Sequence, residues 1–158
     1  MTIAFGTETL TLKTATGADK EFARTVHHRA YRDVVVRQFG EWNNEEQDMY
    51  FESTWSKYDS QIILLNQQPV GYWSVEYSPL EIHLHQFLLL PEYQGKRIGS
   101  HLLRWLISQS VSRNIPIRLR VFRESDAYRL YAKMGFMATS TSEEHIVMEF
   151  VPTQLKIP

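Results

Sequence analysis

The stretch between residues 81 and 122 constrains the fold more than any other part of the sequence. A strand-like run over Glu81 to Leu90 leads into a turn that contains Gly95 and Gly99. An amphipathic helix with one apolar stripe follows, and a second strand-like run covers Ile117 to Phe122. A strand, a helix and a strand in this order pair the two strands in parallel through a right-handed crossover. The chain is therefore predicted to have an α/β fold.

The rest of the sequence adds strands that are expected to pair antiparallel, and further helices. Predicted strands lie at Thr7–Lys13, Gln61–Asn66, Val70–Tyr77, Phe136–Ser140 and His145–Val151, and predicted helices run from about Phe22 to Gly40, from Asn43 or Asn44 past Trp55, and over about Asp126–Met134. No repeat or linker divides the chain. We expect residues 1–158 to form a single domain, with one mixed sheet of about seven strands flanked by about four helices.

Composition narrows the classes of protein that the chain can belong to. It contains no cysteine, which excludes disulfides, cysteine metal sites and a cysteine nucleophile. The net charge of −1 lacks the basic excess that is typical of nucleic-acid binding. Apolar runs are far shorter than the roughly 20 residues that span a bilayer, and the N-terminus does not resemble a signal peptide. We expect a cytoplasmic protein with no nucleic-acid or membrane partner.

The turn between the strand and the amphipathic helix is a candidate phosphate site. The first turn of a helix has backbone N–H groups without internal partners and a partial positive charge, so it attracts anions. Gly95 and Gly99 allow close approach of the backbone, and Lys96 and Arg97 add positive charge. The alternative is a purely structural turn with solvated basic residues. The candidate residues are Gln94, Gly95, Lys96, Arg97, Ile98, Gly99 and Ser100.

At this turn the sequence resembles the GCN5-related N-acetyltransferase (GNAT) superfamily, whose motif Gln/Arg-x-x-Gly-x-Gly/Ala follows a strand and opens a helix. Residues 94–99, Gln-Gly-Lys-Arg-Ile-Gly, match it except that Arg97 replaces its first glycine. A second family motif, Asn-x-x-Ala-x-x-x-Tyr-x-x-x-Gly-Phe, is similar to residues 124–136. There Glu124 replaces the asparagine, which puts the contribution of that position to cofactor binding in doubt.

The resemblance implies a GNAT-like fold and an acetyl-CoA-dependent N-acetyltransferase acting on a primary amine. It also implies that the strands Glu81–Leu90 and Ile117–Phe122 splay apart, and that acetyl-CoA, the co-substrate, inserts between them. Main-chain groups near Phe87, Leu88 and Leu89 would bind pantetheine, and a backbone N–H there would polarise the acetyl carbonyl. A non-catalytic acyl-CoA-binding module of the same fold is the alternative that the two motif departures favour.

Two histidines precede the predicted cleft on the central strand. His83 and His85 share one strand face because side chains alternate along a strand, and histidine titrates near neutral pH, as a base for amine deprotonation should. This His-x-His pattern is similar to that of the arylalkylamine (serotonin) N-acetyltransferases, in which paired histidines serve proton removal. The alternatives are polar residues without a role, Glu81 as the base through a water, and a metal pair in a hydrolase. No third metal ligand is evident nearby, so no metal site is predicted.

Tyr131 aligns with the family tyrosine that protonates the departing thiolate, so the resemblance assigns it as the general acid. Its helical spacing with Ala127, Leu130 and Met134 is also that of a core residue. A substitution by phenylalanine separates the two interpretations, because only the acid role depends on the hydroxyl.

The first two helices border the acceptor in this superfamily. In this chain they contain aromatic and acidic residues, which suit an amine with an apolar body, although they also fit a core with a solvated acidic face. The acceptor is expected to be a small-molecule or peptide amine, and an exposed edge strand makes a homodimer an open expectation. The residues are Tyr31, Phe39, Trp42, Tyr50, Phe51 and Trp55, with Glu41, Glu45, Glu46 and Asp48.

Overall fold

The computed structural model describes residues 1–152 and shows one mixed sheet of eight strands within that range. The strands are β1 (Thr2–Phe5), β2 (Glu8–Thr14), β3 (Gln61–Leu65), β4 (Gln68–Tyr77), β5 (Ile82–Leu89), β6 (Ile117–Phe122), β7 (Met137–Thr141) and β8 (His145–Phe150). The α-helices are α1 (Lys20–Phe39), α2 (Asn44–Lys57), α3 (Ile98–Arg113) and α4 (Ala127–Lys133). Among these helices, none is long and apolar enough to cross a bilayer.

The mixed α/β fold and the predicted order of elements are confirmed, with one strand more than expected. The additional strand is β1, which pairs antiparallel with β2 from Thr2↔Thr11 to Phe5↔Glu8. It is an edge strand, and Ile3 and Phe5 pack against the core from only partly buried positions. Four residues at an edge give a weak periodic signal, which explains why the sequence pattern did not predict it.

The sheet buries a separate apolar cluster on each face. One cluster joins α3 to the sheet through residues such as Leu102, Leu106 and Trp73. The other joins α1 and α2 to the opposite face, where Phe51 and Tyr72 are buried. The prediction of an apolar stripe on α3 holds for its first turns, but Val111 near its end is 52% exposed. Helices on both faces leave the edges and the ends of the strands for binding.

The central strands β5 and β6 separate soon after they begin. They run parallel and pair only at Ile82↔Ile117 and His83↔Arg118, after which both strands continue without pairing to each other. On its other side β5 pairs with β4, and the register shifts where Ser74 opposes Gln86 and Val75 opposes Leu84. His85 is thus the extra residue of a β-bulge, which bends a strand locally. The expected splay of the central strands is confirmed.

The sheet ends in the strands β1 and β7. All five residues of β7 are exposed, and Met137 is exposed for 73% of its surface. An exposed edge of this kind offers unpaired backbone groups to another chain. The homodimer stays a prediction.

Candidate active site

The splay of β5 and β6 opens a cleft of about 900 Å³. The helices α1 and α2 line it on one side, and the N-terminus of α3 and the helix α4 line it on the other. The predicted acid and base residues His83, His85 and Tyr131 all lie in its wall. The cleft therefore brings together side chains from both motifs and from the histidine strand.

The turn before α3 has the geometry of an anion-binding loop. Gly95 has a φ of 73°, a left-handed conformation that glycine adopts without strain. The first bond of α3 runs from the N–H of His101 to the carbonyl of Arg97 at 3.0 Å, so the N–H groups of the preceding turn have no partner within the helix. The side chain of Gln94 anchors the loop by donating to the carbonyl of Leu89 at 3.0 Å.

Most of the predicted cofactor residues line this cleft. They are Phe87, Leu88, Leu89, Gln94, Gly95, Arg97, Gly99 and Ser100. A Cβ atom on Gly99 would meet side chains of Leu130 and Phe87 at 3.7 and 3.8 Å, which is ordinary van der Waals contact, so space does not require glycine at this position. The N–H groups of the turn can donate to an anion at this end of the cleft.

Three predicted cofactor residues do not line the cleft. Ile98 is 1% exposed and belongs to the core, and the ammonium of Lys96 lies over the ring of Tyr93 at 5.8 Å. Glu124 uses its main chain to hold α1, since its N–H donates to Gln38 at 3.1 Å and its carbonyl accepts from Arg37 at 2.7 Å. The position where the family motif has asparagine thus contributes a backbone bridge to α1 in this chain.

Arg97 is the N-cap of α3 and has a φ of 69°. A left-handed conformation costs a residue with a Cβ roughly 1–2 kcal/mol, which is the reason that glycine is favoured there. The side chain of Arg97 lines the cleft beside Gly95 and is exposed. An exposed guanidinium thus lies at the turn on a residue whose backbone conformation favours glycine.

His83 and His85 form a stack of rings with Tyr58, the C-cap of α2. The ring centroids of the two histidines are 4.0 Å apart, and those of His85 and Tyr58 are 3.7 Å apart. Nε2 of His85 lies 2.8 Å from Oε1 of Glu76 on β4. A carboxylate only accepts hydrogen bonds, so we assign a proton to Nε2 of His85. The sequence pattern predicted the histidines but missed Glu76 and Tyr58.

The two histidine rings differ in their surroundings. Burial, followed by the neighbouring His85, lowers the pKa of His83 below its usual value, so this imidazole is neutral at pH 7. The hydrogen bond from His85 lowers the pKa of the Glu76 carboxyl, which stays ionised. Glu81, the alternative base, lies outside the cleft wall and pairs with Arg118, with Oε2 at 3.2 Å from Nε. His83 is thus a neutral proton acceptor in the cleft.

Two tyrosines, Tyr31 and Tyr131, line the cleft. Burial raises the pKa of Tyr131 above its usual value, and the same cause raises that of Tyr31. Both hydroxyls therefore keep their protons at neutral pH. The Tyr31 hydroxyl donates to Oε1 of Gln86 at 3.4 Å, and the Tyr131 ring packs edge-on against Phe136 at 5.5 Å. Tyr131 is therefore a protonated side chain of the cleft wall.

The residues that line the acceptor side of the cleft are only partly the aromatic and acidic residues that the sequence predicted. Of the aromatic residues, Tyr31 and Tyr50 line the wall, whereas Phe51 and Trp55 stack on each other in the core. Phe39 and Trp42 lie outside the wall, as do the four acidic residues Glu41, Glu45, Glu46 and Asp48. Residues that the sequence pattern did not single out for this wall are Lys57, Tyr58, Arg120, Phe122 and His145.

A family model described as the acetyltransferase (GNAT) family matches residues 27–136. No curated protein matches the chain in sequence. A likeness at the level of the fold comes from solved structures of low sequence identity.

One similar structure is the PaiA N-acetyltransferase from Thermoplasma acidophilum in complex with coenzyme A, with 19% identity, a TM-score of 0.72 and coverage of 90% of this chain and 98% of that chain. Another is the ribosomal-protein-S18-alanine N-acetyltransferase from Escherichia coli, with 18% identity, a TM-score of 0.65 and coverage of 93% and 97%. A third is the ribosomal-protein-S5-alanine acetyltransferase from Vibrio fischeri, with 14% identity, a TM-score of 0.63 and coverage of 99% and 100%. The narrower resemblance to the serotonin N-acetyltransferases is not shown by these matches.

Proposed function

This chain belongs to the acetyltransferase (GNAT) family, and we propose that it transfers the acetyl group of acetyl-CoA to a primary amine by direct attack in a ternary complex. The observation that carries the proposal is the cleft, which has a turn with free N–H groups at one end and a neutral histidine and a protonated tyrosine further in. Amide formation needs a proton acceptor for the amine and a proton donor for the thiolate.

The residues present fit acetyl-CoA, which supplies an activated thioester. The N-terminal turn of α3 would hold the phosphates, with Arg97 adding charge beside Gly95. The backbone of β5 near Phe87 to Leu89 makes no hydrogen bonds to β6, since the two strands no longer pair there. These backbone groups would bond to the pantetheine arm. A backbone N–H in this stretch would polarise the acetyl carbonyl.

His83 is our candidate for the base, and His85 with Glu76 supports it. A neutral imidazole accepts the proton of an ammonium or of the attacking amine. The carboxylates of Glu81 and Glu76 act against the lowering of the pKa of His83. Stacking at 4.0 Å fixes the ring of His83 against that of His85. The pair His83 and His85 is similar to that of the serotonin N-acetyltransferases, in which paired histidines serve proton removal.

The proposed reaction is tested by incubating the protein with acetyl-CoA and a panel of primary amines. We expect release of free thiol that depends on the amine and equals the acetylated amine measured by mass spectrometry. N,N-dimethyl counterparts of the same amines are the matched control, because a tertiary amine cannot form an amide. Coenzyme A binding without thiol release for every amine would contradict the proposal and favour a non-catalytic acyl-CoA-binding module.

Arg97→Gly tests the role of the side chain at the phosphate turn. Glycine relieves the left-handed strain but adds freedom to the unfolded chain, so we expect the free energy of unfolding to change by less than about 1 kcal/mol. Loss of the guanidinium should weaken coenzyme A binding about fivefold at low salt and less at high salt, because salt screens exposed charges. Calorimetric titration at two salt concentrations measures both effects.

Arg104→Ala is the matched control for Arg97→Gly, since it removes an exposed arginine from the same helix outside the cleft wall. Its affinity for coenzyme A should equal that of the unaltered protein. Equal or tighter binding by Arg97→Gly at low salt would mean that the guanidinium makes no contact with the phosphates.

A further inference from the structure

Arg120 lies on the acceptor side of the cleft. On β6 it is two residues beyond Arg118, the last position that pairs with β5, and it lines the widening gap opposite the histidine strand. The aromatic residue next to it in space is His145, whose pKa is lowered by burial and then by the Arg120 guanidinium. His145 stacks on Phe122 with ring centroids 4.9 Å apart. Arg120 therefore lies in a corner of the cleft whose walls are aromatic.

The guanidinium of Arg120 has no acidic partner within residues 1–152. None of the ion pairs in that range includes it. Its neighbour on the same strand and face, Arg118, is by contrast held by two carboxylates, Glu81 at 3.2 Å and Glu149 at 2.9 Å. One arginine of this strand is neutralised, and the other presents its charge to the cleft.

The carboxylates of the cleft wall do not balance this charge. Asp126 lies 3.8 Å from Arg37, and Asp33 is an exposed residue of α1. The acidic residues predicted to bind an amine body lie outside the wall, and Asp48 pairs there with Arg24 and His28. An acceptor whose only charge is its ammonium group would lie beside the positive charge of Arg120, and neither molecule would provide a carboxylate to neutralise that charge.

From this arrangement we infer that the acceptor amine also has an anionic group, a carboxylate or a phosphate, which Arg120 binds while the amine faces His83 and His85. Guanidinium matches both anions through paired parallel hydrogen bonds. The aromatic corner of Phe122 and His145 suits a small body between the two groups. The inference names the substrate class for the proposed acetyl transfer and depends on it.

The experiment compares matched amines that differ in the anion. Phenylalanine is paired with 2-phenylethylamine, and O-phosphoethanolamine with ethanolamine, so that one pair reports on a carboxylate and the other on a phosphate. The protein should acetylate the anionic member of at least one pair with a kcat/KM about tenfold higher or more. Arg120→Gln should abolish this preference, and Arg118→Gln, on the same face of the same strand, should retain it.

The outcomes separate this inference from the proposed function. Acetylation without an anionic preference, or a preference that survives Arg120→Gln, would overturn the inference alone. A loss of coenzyme A affinity in Arg120→Gln as large as the loss of kcat/KM would assign the guanidinium to the cofactor phosphates and would also overturn it. No acetylation of any amine would overturn both.

Discussion

Replacing Gly71 by alanine is expected to lower the free energy of unfolding by about 3 kcal/mol or more. Gly71 lies on β4 opposite Leu89 of β5. A Cβ atom there would be 2.1 Å from the carbonyl oxygen of Leu88, and 3.0 Å from the Cα atom of Leu89. Both are backbone atoms of a paired strand, so no side-chain rotation relieves the clash, and the two strands must move apart.

The same substitution should damage the site, because β5 contains both histidines and the stretch proposed to bind pantetheine. Urea denaturation measures the loss of stability, and Gly17→Ala is the matched control. Gly17 has an ordinary φ and open space where its Cβ would be, so its substitution should change the free energy of unfolding by less than about 1 kcal/mol. A loss below about 1 kcal/mol for Gly71→Ala as well would show that β4 and β5 separate easily, contrary to their long ladder.

The parts of the fold that could be predicted are those with a local cause. The helical spacing of Leu102, Leu103 and Leu106 predicts α3, and all three side chains are buried in the structure. The side chain of Asn43 accepts from the N–H of Glu46 at 2.9 Å, as the predicted cap of α2 requires. The clash at Gly71 could not be predicted, because it depends on how closely β4 and β5 approach each other.

The candidate site divides in the same way. The turn at residues 94–100 and the pair His83 and His85 are contiguous in sequence, so a motif and a strand period sufficed to single them out. The bond from His85 to Glu76 spans a bulge between two strands, which strict alternation does not predict. The residues of the acceptor wall were harder to predict. The face of α2 that contains Phe51 is buried against the sheet, whereas Asp48 lies outside the cleft and pairs with Arg24 and His28.

Replacing Tyr131 by phenylalanine is expected to lower kcat about 100-fold, at the low end of the range for general acid catalysis, because a thiolate is a stable leaving group. Tyr131 lines the cleft, and burial raises its pKa, so its hydroxyl is protonated at neutral pH. Coenzyme A affinity should change by less than about twofold, since the ring stays against Phe136. Steady-state kinetics with a saturating amine, together with a coenzyme A titration, measures the two quantities.

The core interpretation of Tyr131 predicts a different result. Burial is the cause of its raised pKa, and no hydrogen bond from its hydroxyl contributes within the part of the chain that the structure describes. A residue that only fills the core would lose little by becoming phenylalanine, so unchanged turnover would show that Tyr131 is structural. Tyr128→Phe, on the same helix but outside the cleft wall, is the matched control and should keep full activity. A fall in kcat for Tyr131→Phe with unchanged unfolding by urea would leave proton donation as the role of the hydroxyl, because packing and cofactor affinity would both be intact.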